Sequence, residues 1–436
     1  MMRAPLLGAV VAATAVVAAA FGQGGERGAS IPASTPVDVP GCSPVSYGGT
    51  GRPDYLIAAS TVLQGRAAEY GVQGVQALKL VLAQRGWQAG RFSVGLQICD
   101  EMEASRGLSS PVKCWRNARA FARNRGVLGV LGAGHSECAL VMLPDLNRAP
   151  GGPLVLIGAS PTYVGLTRAG PGIDGRDPER NFPTGQRSFV RVVPADDVQG
   201  AAGAMFVKRQ HARNVFVLND CCTYGFGVAE AFRTAAERLG LRVVGYQQWD
   251  PYAGDYRALA ELIRGAGADA VYLGGYLESN GLRLIEDLRA ALGPEVTLLG
   301  SDGFAAPDQI VEGAGQAAEG FAWTFAGPPN NELSPAGREF ADRFEERFQS
   351  RPRTFSLHTA QAAEVLLDAI ANSDGSRAEV TERVVKARVE DGLLGDFEFD
   401  RYGDTTLNTI GVYEIEDGRL RFKTAISDPT QRVTER

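Results

Sequence analysis

The fold is decided by the stretch Val215–Gly303, which begins VFVLNDCCTYGFG and ends TLLGSDG. Between these ends, short apolar runs such as RVVGY and AVYLGGY alternate with longer amphipathic runs of helical period. Strands that alternate with helices in this way predict a parallel sheet. Ligands bind such a sheet in the crevice beyond the carboxyl ends of its strands, and Asp220, Tyr276 and Asp302 stand at those ends.

The earlier part of the chain repeats this alternation, from the run YLIAAS at Tyr55 to the run FVRVV that ends at Val193. Further apolar runs, FAWTFAG and IGVYEI, indicate that the chain returns between the two halves. The sequence therefore predicts two similar α/β lobes, with the chain crossing between them three times. We expect lobe 1 to contain residues 53–190 and 325–396, and lobe 2 to contain residues 191–324 and 397–425.

The composition is that of a soluble globular protein with more than one domain. The 436 residues exceed what one hydrophobic core usually supports, and 44% hydrophobic with 22% charged residues is ordinary. The formal net charge of −6 disfavours a protein that binds phosphate backbones without sequence preference, because such proteins need a basic surface. We expect no nucleic-acid partner.

The N-terminus indicates export. Arg3 precedes an alanine-rich apolar run, Pro5–Phe21, of the length of a signal-peptide core, with alanines in an A-x-A arrangement near its end. The run is only weakly apolar for a membrane helix, so we expect residues 1–21 to be a cleaved signal peptide, with a retained membrane anchor as the alternative. In both cases the protein body is extracytoplasmic, in the periplasm or at the cell surface. Residues 22–52, rich in glycine, proline and serine without periodicity, predict a flexible tether.

Export makes the six cysteines candidates for disulfides. The adjacent Cys221 and Cys222 could remain thiols or form a rare vicinal disulfide. A metal site is disfavoured, because no C-x-x-C occurs and His135 with Cys138 supplies too few ligands. We expect no metal and no cofactor. The other four cysteines allow three pairings, between which the sequence does not choose: Cys42, Cys99, Cys114 and Cys138.

Hydroxyl side chains follow predicted strands in the first half. Ser136 lies where a helix is predicted to begin, and Ser160 and Thr162 come just past the next strand. A hydroxyl beside the free backbone N–H groups of a helix start is a natural carboxylate site. The three hydroxyls together therefore predict one polar pocket, although each alone could be an ordinary helix cap or turn residue.

Acidic and aromatic side chains take the corresponding positions in the second half. Asp302 could receive a ligand ammonium, although an aspartate at this position could also serve only the turn. Tyr224 and Tyr276 stand beside glycines that permit close backbone approach, and their rings could cover an organic cation or an apolar group. Taken singly, a tyrosine at such a position is more often a core residue than a ligand-binding residue.

Catalysis is disfavoured. The sequence GHSEC at Gly134 is one residue short of the G-x-S-x-G nucleophile elbow. A serine hydrolase also needs a histidine base, and neither His211 nor His358 follows a strand end beside a supporting acid. We therefore expect no catalytic residue; an esterase with Ser136 as its nucleophile is the weaker alternative.

A series of motifs runs in order along residues 55–422: AEYG at Ala68, GAGHS at Gly132, ASPT at Ala159, DCCTYGFG at Asp220, YLGGY at Tyr272, GSDG at Gly300 and AAEG at Ala317. In this combination the sequence resembles the leucine/isoleucine/valine-binding proteins of ABC transporters, which have the type I periplasmic-binding-protein fold. The resemblance implies two Rossmann-like lobes with parallel sheets, joined by a three-strand hinge and closing on a ligand.

The resemblance also implies how the ligand is held. The ligand carboxylate is expected at the hydroxyls and the backbone near Ser160, and its ammonium at Asp302, with three tyrosines packed around the ligand. The family usually has glutamate where Asp302 stands, so the acid of this chain is one methylene shorter and the ligand stays open. The ligand-binding residues implied by position are Tyr70, Ser136, Ser160, Thr162, Tyr224, Tyr276 and Asp302.

The function that the resemblance implies is not enzymatic. It is that of an exported solute-binding protein, which captures a branched-chain or related amino acid and delivers it to an ABC permease. The alternative is a membrane-anchored extracytoplasmic sensor domain that signals to a partner. That alternative requires the apolar run Pro5–Phe21 to be retained.

Overall fold

The computed structural model describes Met1 and residues 34–103, 107–170, 173, 178–220, 222–327 and 333–434. Apart from Met1, the predicted signal peptide or anchor lies outside these described residues, and so does Cys221. Among the helices that are described, none is long and apolar enough to span a membrane.

The described residues form strands and helices that alternate along most of the chain. The strands are β1 (Tyr55–Thr61), β2 (Gln88–Ala89), β3 (Phe92–Asp100), β4 (Met102–Glu103), β5 (Leu108–Ser109), β6 (Val127–Leu131), β7 (Leu156–Gly158), β8 (Phe189–Arg191), β9 (Asn214–Asn219), β10 (Arg242–Gln248), β11 (Ala270–Gly274), β12 (Thr297–Gly300), β13 (Phe321–Ala326), β14 (Arg388–Val389), β15 (Phe397–Glu398), β16 (Thr409–Glu416) and β17 (Arg419–Ser427). The α-helices are α1 (Ala68–Gln84), α2 (Pro111–Arg123), α3 (Ser136–Asn147), α4 (Asp196–Arg209), α5 (Thr223–Arg238), α6 (Arg257–Gly265), α7 (Gly281–Leu292), α8 (Pro307–Ala314), α9 (Pro335–Phe348), α10 (Thr354–Ala371), α11 (Arg377–Val385) and α12 (Pro429–Thr434).

The first large sheet has the strand order β2-β3-β1-β6-β7-β8 and is parallel except for β2. Strand β1 reads YLIAAST and its five central residues are buried, as expected for a parallel strand covered on both faces. One face packs on α1 and α10 through Leu78 and Leu366. The other packs on α2 and α3 through Phe121 and Leu143. We call this sheet with its helices lobe 1.

The second large sheet has the strand order β10-β9-β11-β12-β13-β16-β17. It is parallel from β10 to β13, and β16 and β17 join it antiparallel. Phe206 of α4 and Phe232 of α5 pack on one face. Ile263 of α6, Leu284 of α7 and Ile310 of α8 pack on the other. We call this sheet with its helices lobe 2.

The chain passes between the lobes three times, after β8, after β13 and before β16. The helices α9, α10 and α11 follow β13 but contribute their apolar side chains to the core of lobe 1. Next to two of these passages, Nε of the buried Arg191 donates to Asp404 Oδ1 at 2.8 Å, and Nε of Arg168 donates to Oδ2 at 2.8 Å. Burial alone raises the pKa of Asp404, but the two guanidinium groups outweigh it and hold that pKa below its usual value. The residue boundaries expected for the lobes stay a prediction.

The composition assigns residues 22–52 to a flexible tether, of which residues 22–33 lie outside the described residues. Residues 34–52 instead run beside β3. Ser46 and Leu96 exchange backbone hydrogen bonds at 2.8 and 2.9 Å. Cys42 forms a disulfide with Cys99 near the end of β3. A covalent link and backbone pairing thus order a segment whose sequence carries no periodic signal.

A second disulfide, Cys114–Cys138, ties α2 to α3. The structure thereby selects one of the three pairings that the sequence left open. Because Cys138 is bonded to Cys114, it is not available as a metal ligand beside His135. Throughout the described part of the chain, no group of three or more His, Cys, Asp or Glu side chains is placed to hold a metal ion.

Candidate ligand-binding site

A cavity of about 110 Å³ lies between the carboxyl ends of the two large sheets. In lobe 1 its walls are the starts of α1 and α10 and the loops after β6 and β7. In lobe 2 its walls follow β9, β11 and β12. This is the crevice in which open parallel sheets bind ligands, so the topology itself marks the cavity as the candidate site.

The structure brings five of the seven predicted ligand-binding residues together. Ser136 and Thr162, which were expected to hold the ligand carboxylate, are only 1% and 2% exposed and do not line the cavity. Ser136 begins α3 as predicted, but its Oγ accepts a hydrogen bond from the backbone N–H of Tyr163 at 3.2 Å. The five that line the cavity are Tyr70, Ser160, Tyr224, Tyr276 and Asp302.

Asp302 is the acid of the lobe 2 wall. It stands two residues past the end of β12 and is 6% exposed. Burial raises the pKa of its carboxyl group to about 6, against hydrogen bonds from Tyr224 and Gln199 that lower it. The hydroxyl of Tyr224 donates to Asp302 Oδ1. A partly desolvated carboxylate of this kind gains stability from an ammonium group beside it.

Aromatic rings make up much of the remaining wall. Tyr276 lies between His135 and Tyr224, with ring centroids 4.7 and 4.8 Å away. Tyr70 packs edge-on against Phe355 with centroids 5.3 Å apart. Such rings offer π faces to a cation and apolar area to an aliphatic group.

The cavity also has charged residues that the sequence reasoning missed: Arg66, Glu69, Glu278 and Arg353. Arg353 forms ion pairs with Glu69 at 3.0 Å and with Asp308 at 2.6 Å. Burial raises the pKa of Glu278 to about 7. Two signals were available: Glu69 lies in the AEYG motif, and Glu278 stands two residues after the strand-end Tyr276. Arg66 and Arg353 belong to no motif, and the fold alone brings them to the cavity.

Glu137 connects the two lobes beside the cavity. It lies on the first turn of α3, and its Oε1 accepts the backbone N–H of Tyr224 on the first turn of α5 at 2.9 Å. Its Oε2 accepts the hydroxyl of Tyr276 at 3.3 Å. First-turn N–H groups have no partner inside their own helix, so an acid is favourable there. A side chain of lobe 1 thus holds the start of a lobe 2 helix.

Glu101 lies fully buried against the lobe 1 wall. Its carboxylate accepts hydrogen bonds from the backbone N–H groups of Gly134 at 3.1 Å and His135 at 3.0 Å, and from the hydroxyl of Ser60 at 3.0 Å. Burial raises the pKa of this carboxyl group to about 7, and the same hydrogen bonds oppose that rise. The backbone N–H groups of Gly134 and His135, in the loop after β6, therefore already have an acceptor inside the protein.

Sequence comparison identifies similar proteins. A family model described as periplasmic binding protein matches residues 57–419. The chain is 27% identical over 231 residues to the leucine-, isoleucine-, valine-, threonine-, and alanine-binding protein of Pseudomonas aeruginosa, covering 53% of this chain and 61% of that protein. It is 25% identical over 392 residues to the Leu/Ile/Val-binding protein homolog 2 of Brucella abortus, covering 87% of this chain and 96% of that protein. The match thus spans less than two thirds of the first relative and nearly all of the second.

Solved structures share the architecture. The leucine binding protein LivK of Thermotoga maritima has a TM-score of 0.72 at 21% identity, covering 86% of this chain and 99% of that one. The substrate binding protein LivJ of Streptococcus pneumoniae, in complex with isoleucine, has a TM-score of 0.70 at 19% identity, with the same coverage. A solute binding protein of R. palustris in complex with 4-hydroxybenzoate has a TM-score of 0.71 at 16% identity, covering 86% and 97%. These likenesses confirm the predicted type I periplasmic-binding-protein fold.

Proposed function

The chain belongs to the periplasmic binding protein family, and on that premise we propose that it is an extracytoplasmic solute-binding protein. It captures a small amino acid, branched-chain or related, between its two lobes and delivers the ligand to an ABC permease. The relatives named for leucine, isoleucine and valine support this ligand class. Its action is binding rather than catalysis. In support of this, the hydroxyl of Ser136, the nucleophile of the alternative esterase, is buried and does not line the cavity.

One observation carries this proposal: a buried acid faces aromatic rings in a cavity between the lobes. Asp302 and Tyr224 come from lobe 2, and Tyr70 comes from lobe 1. A ligand ammonium between them neutralises the carboxylate in a site from which water is largely excluded, where charge-assisted hydrogen bonds are strong. The ligand's aliphatic part then packs on the rings.

Closure of the lobes completes the site. The cavity walls come from both lobes, so a ligand that contacts both favours the closed arrangement over the open one. The three passages of chain between the lobes act as the hinge of a rigid-body motion. The closed arrangement is the one that a permease receives.

A thermal-shift screen of the refolded protein against the twenty amino acids tests the proposal. The protein is first unfolded and refolded, with its disulfides intact, to remove any ligand carried through purification. A ligand at about a thousand times its Kd adds roughly 4 kcal/mol to the folded state, so a true ligand raises Tm clearly. Stabilisation by aliphatic amino acids supports the proposal, and stabilisation only by acids that lack an amine contradicts it.

A second candidate function is a membrane-anchored sensor domain with the same ligand site. The apolar run Pro5–Phe21 favours it, because its length suits a marginal membrane span as well as a signal-peptide core. N-terminal sequencing of the native protein separates the two. A mature N-terminus near Phe21 supports the transport function, and an intact chain in the membrane fraction supports the sensor.

A further inference from the structure

The hydroxyl protons of the cavity wall are already used within the protein. Tyr224 donates to Asp302, and Tyr276 donates to Glu137 at 3.3 Å. Tyr70 donates to Ser160 at 2.5 Å, and Ser160 in turn donates to the carbonyl oxygen of residue 134 at 3.0 Å. A hydroxyl has one proton to donate and two lone pairs. Toward a ligand, these four hydroxyls therefore present acceptors.

Five backbone N–H groups of the cavity wall are used in the same way, and three internal carboxylates accept four of them. Glu101 accepts those of Gly134 and His135, at 3.1 and 3.0 Å. Glu137 accepts that of Tyr224, and Asp220 accepts that of Tyr276, both at 2.9 Å. The N–H of Gly303 donates to the Tyr224 hydroxyl at 3.2 Å. Because buried backbone donors are nearly always paired, these groups are not available to a ligand carboxylate.

The charges that line the cavity also favour a cation. Asp302 and Glu278 contribute carboxyl groups, whereas Arg353 is held in ion pairs with Glu69 and Asp308. The exposed Arg66 is the remaining cation of the lining. A ligand carboxylate deep in this cavity meets like charges and lone pairs, which disfavour it.

We propose that this site recognises its ligand through an ammonium group and an apolar body, with no requirement for a carboxylate. Small primary amines and amino-acid amides are then ligands of the same site as the amino acids. This inference rests on the proposed function, because it uses the same cavity and the same role for Asp302. The inference differs from the proposed function in the class of ligand: it includes organic ammonium compounds in general and not amino acids alone.

The test compares four compounds that share one side chain: leucine, leucinamide, 3-methylbutylamine and 4-methylpentanoate. Isothermal titration calorimetry at about pH 7 uses the full-length chain, refolded to remove bound ligand. We expect the amide and the amine to bind within about tenfold of leucine, and the acid to give no heat, because only the acid lacks the ammonium. The equivalent compounds built on alanine, valine and phenylalanine extend the comparison to other side-chain sizes.

The outcomes separate this inference from the proposed function. If an amino acid binds and its amide and amine do not, the inference is overturned and the proposed function stands; Arg66 is then the first candidate partner of the carboxylate. If the amines bind and the amino acids do not, the inference holds and the proposed ligand is wrong. If none of the compounds binds, both are overturned.

A variant at Asp302 tests whether the amine binds in this cavity. Asp302→Asn preserves the shape of the side chain and removes its charge, and it is expected to weaken binding of the amine at least about tenfold. The matched control is Asp342→Asn on the exposed face of α9. Amine affinity that is unchanged in Asp302→Asn, in a protein whose Tm matches the control, places the amine elsewhere and overturns the inference.

Discussion

The carboxylate of Glu137 in lobe 1 accepts the backbone N–H of Tyr224 in lobe 2 at 2.9 Å. The same carboxylate accepts the hydroxyl of Tyr276 at 3.3 Å, so both of its oxygen atoms hold the opposite lobe. The two tyrosines line the ligand cavity. Hydrogen bonds between the lobes therefore stabilise their closed arrangement beside the ligand site, independently of a ligand.

Removing this bond should open the ligand-free protein. Glu137→Ala leaves the first turn of α5 without its acceptor, which costs the closed arrangement about 1–2 kcal/mol. Small-angle scattering of the ligand-free variant should give a larger radius of gyration than the wild type. Glu312→Ala, at an exposed acid of α8, is the control. Identical scattering curves for Glu137→Ala, the control and the wild type mean that this bond does not decide closure.

Ligand affinity should depend on pH through Asp302. The pKa of its carboxyl group is about 6 without ligand because of burial, and an ammonium group binds the ionised form. Affinity should therefore be highest above about pH 7 and fall as pH drops through 6, by up to about tenfold per pH unit. Burial also raises the pKa of the neighbouring Asp196 well above its ordinary value.

Calorimetric titrations between about pH 5 and 8 measure this dependence. The residual binding of Asp302→Asn should lack the step near pH 6 and keep only the dependence that Glu278 contributes, because burial raises the pKa of that lining carboxyl group to about 7. A wild-type profile that matches the profile of Asp302→Asn contradicts the assignment of Asp302 as the titrating group, and a profile that rises toward low pH contradicts the sign of the effect.

The two disulfides should contribute separately to stability. Cys114–Cys138 closes a loop with a sequence separation of 24, and Cys42–Cys99 one of 57. Each is expected to add about 2–4 kcal/mol to the free energy of unfolding, with the longer loop at the upper end. Chemical denaturation of Cys114→Ala/Cys138→Ala and of Cys42→Ala/Cys99→Ala measures both. Unfolding midpoints that match the wild type in either double variant mean that the corresponding disulfide does not stabilise the fold.

The fold was predictable from the sequence because strand and helix periods alternate clearly, and the motif order from Tyr55 to Phe422 indicated the family that the comparisons confirm. The position of Asp220, Tyr276 and Asp302 at strand ends was likewise predictable, because each follows an apolar run of strand length. Apolar runs and the alternation of strand and helix periods are local properties of the sequence, so these predictions needed no knowledge of distant contacts.

Glu101 and Glu137 could not be predicted in the same way. Their hydrogen-bond partners lie 33 and 34 residues away for Glu101, and 87 and 139 residues away for Glu137. Nothing in the local pattern indicates that these carboxylates take up backbone donors around the ligand cavity. Ser136 illustrates the same limit: its place at the start of α3 was predictable, but not that its hydroxyl turns toward Tyr163.

We propose that Asp302 receives the ammonium of a ligand held between the lobes. The decisive measurement is isothermal titration calorimetry of the refolded wild type and of Asp302→Asn, with the ligand found in the screen. We expect the variant to keep the wild-type Tm and to lose about 2–5 kcal/mol of binding free energy, because the ammonium loses its charged partner. Equal affinity in the two proteins would rule out this role of Asp302.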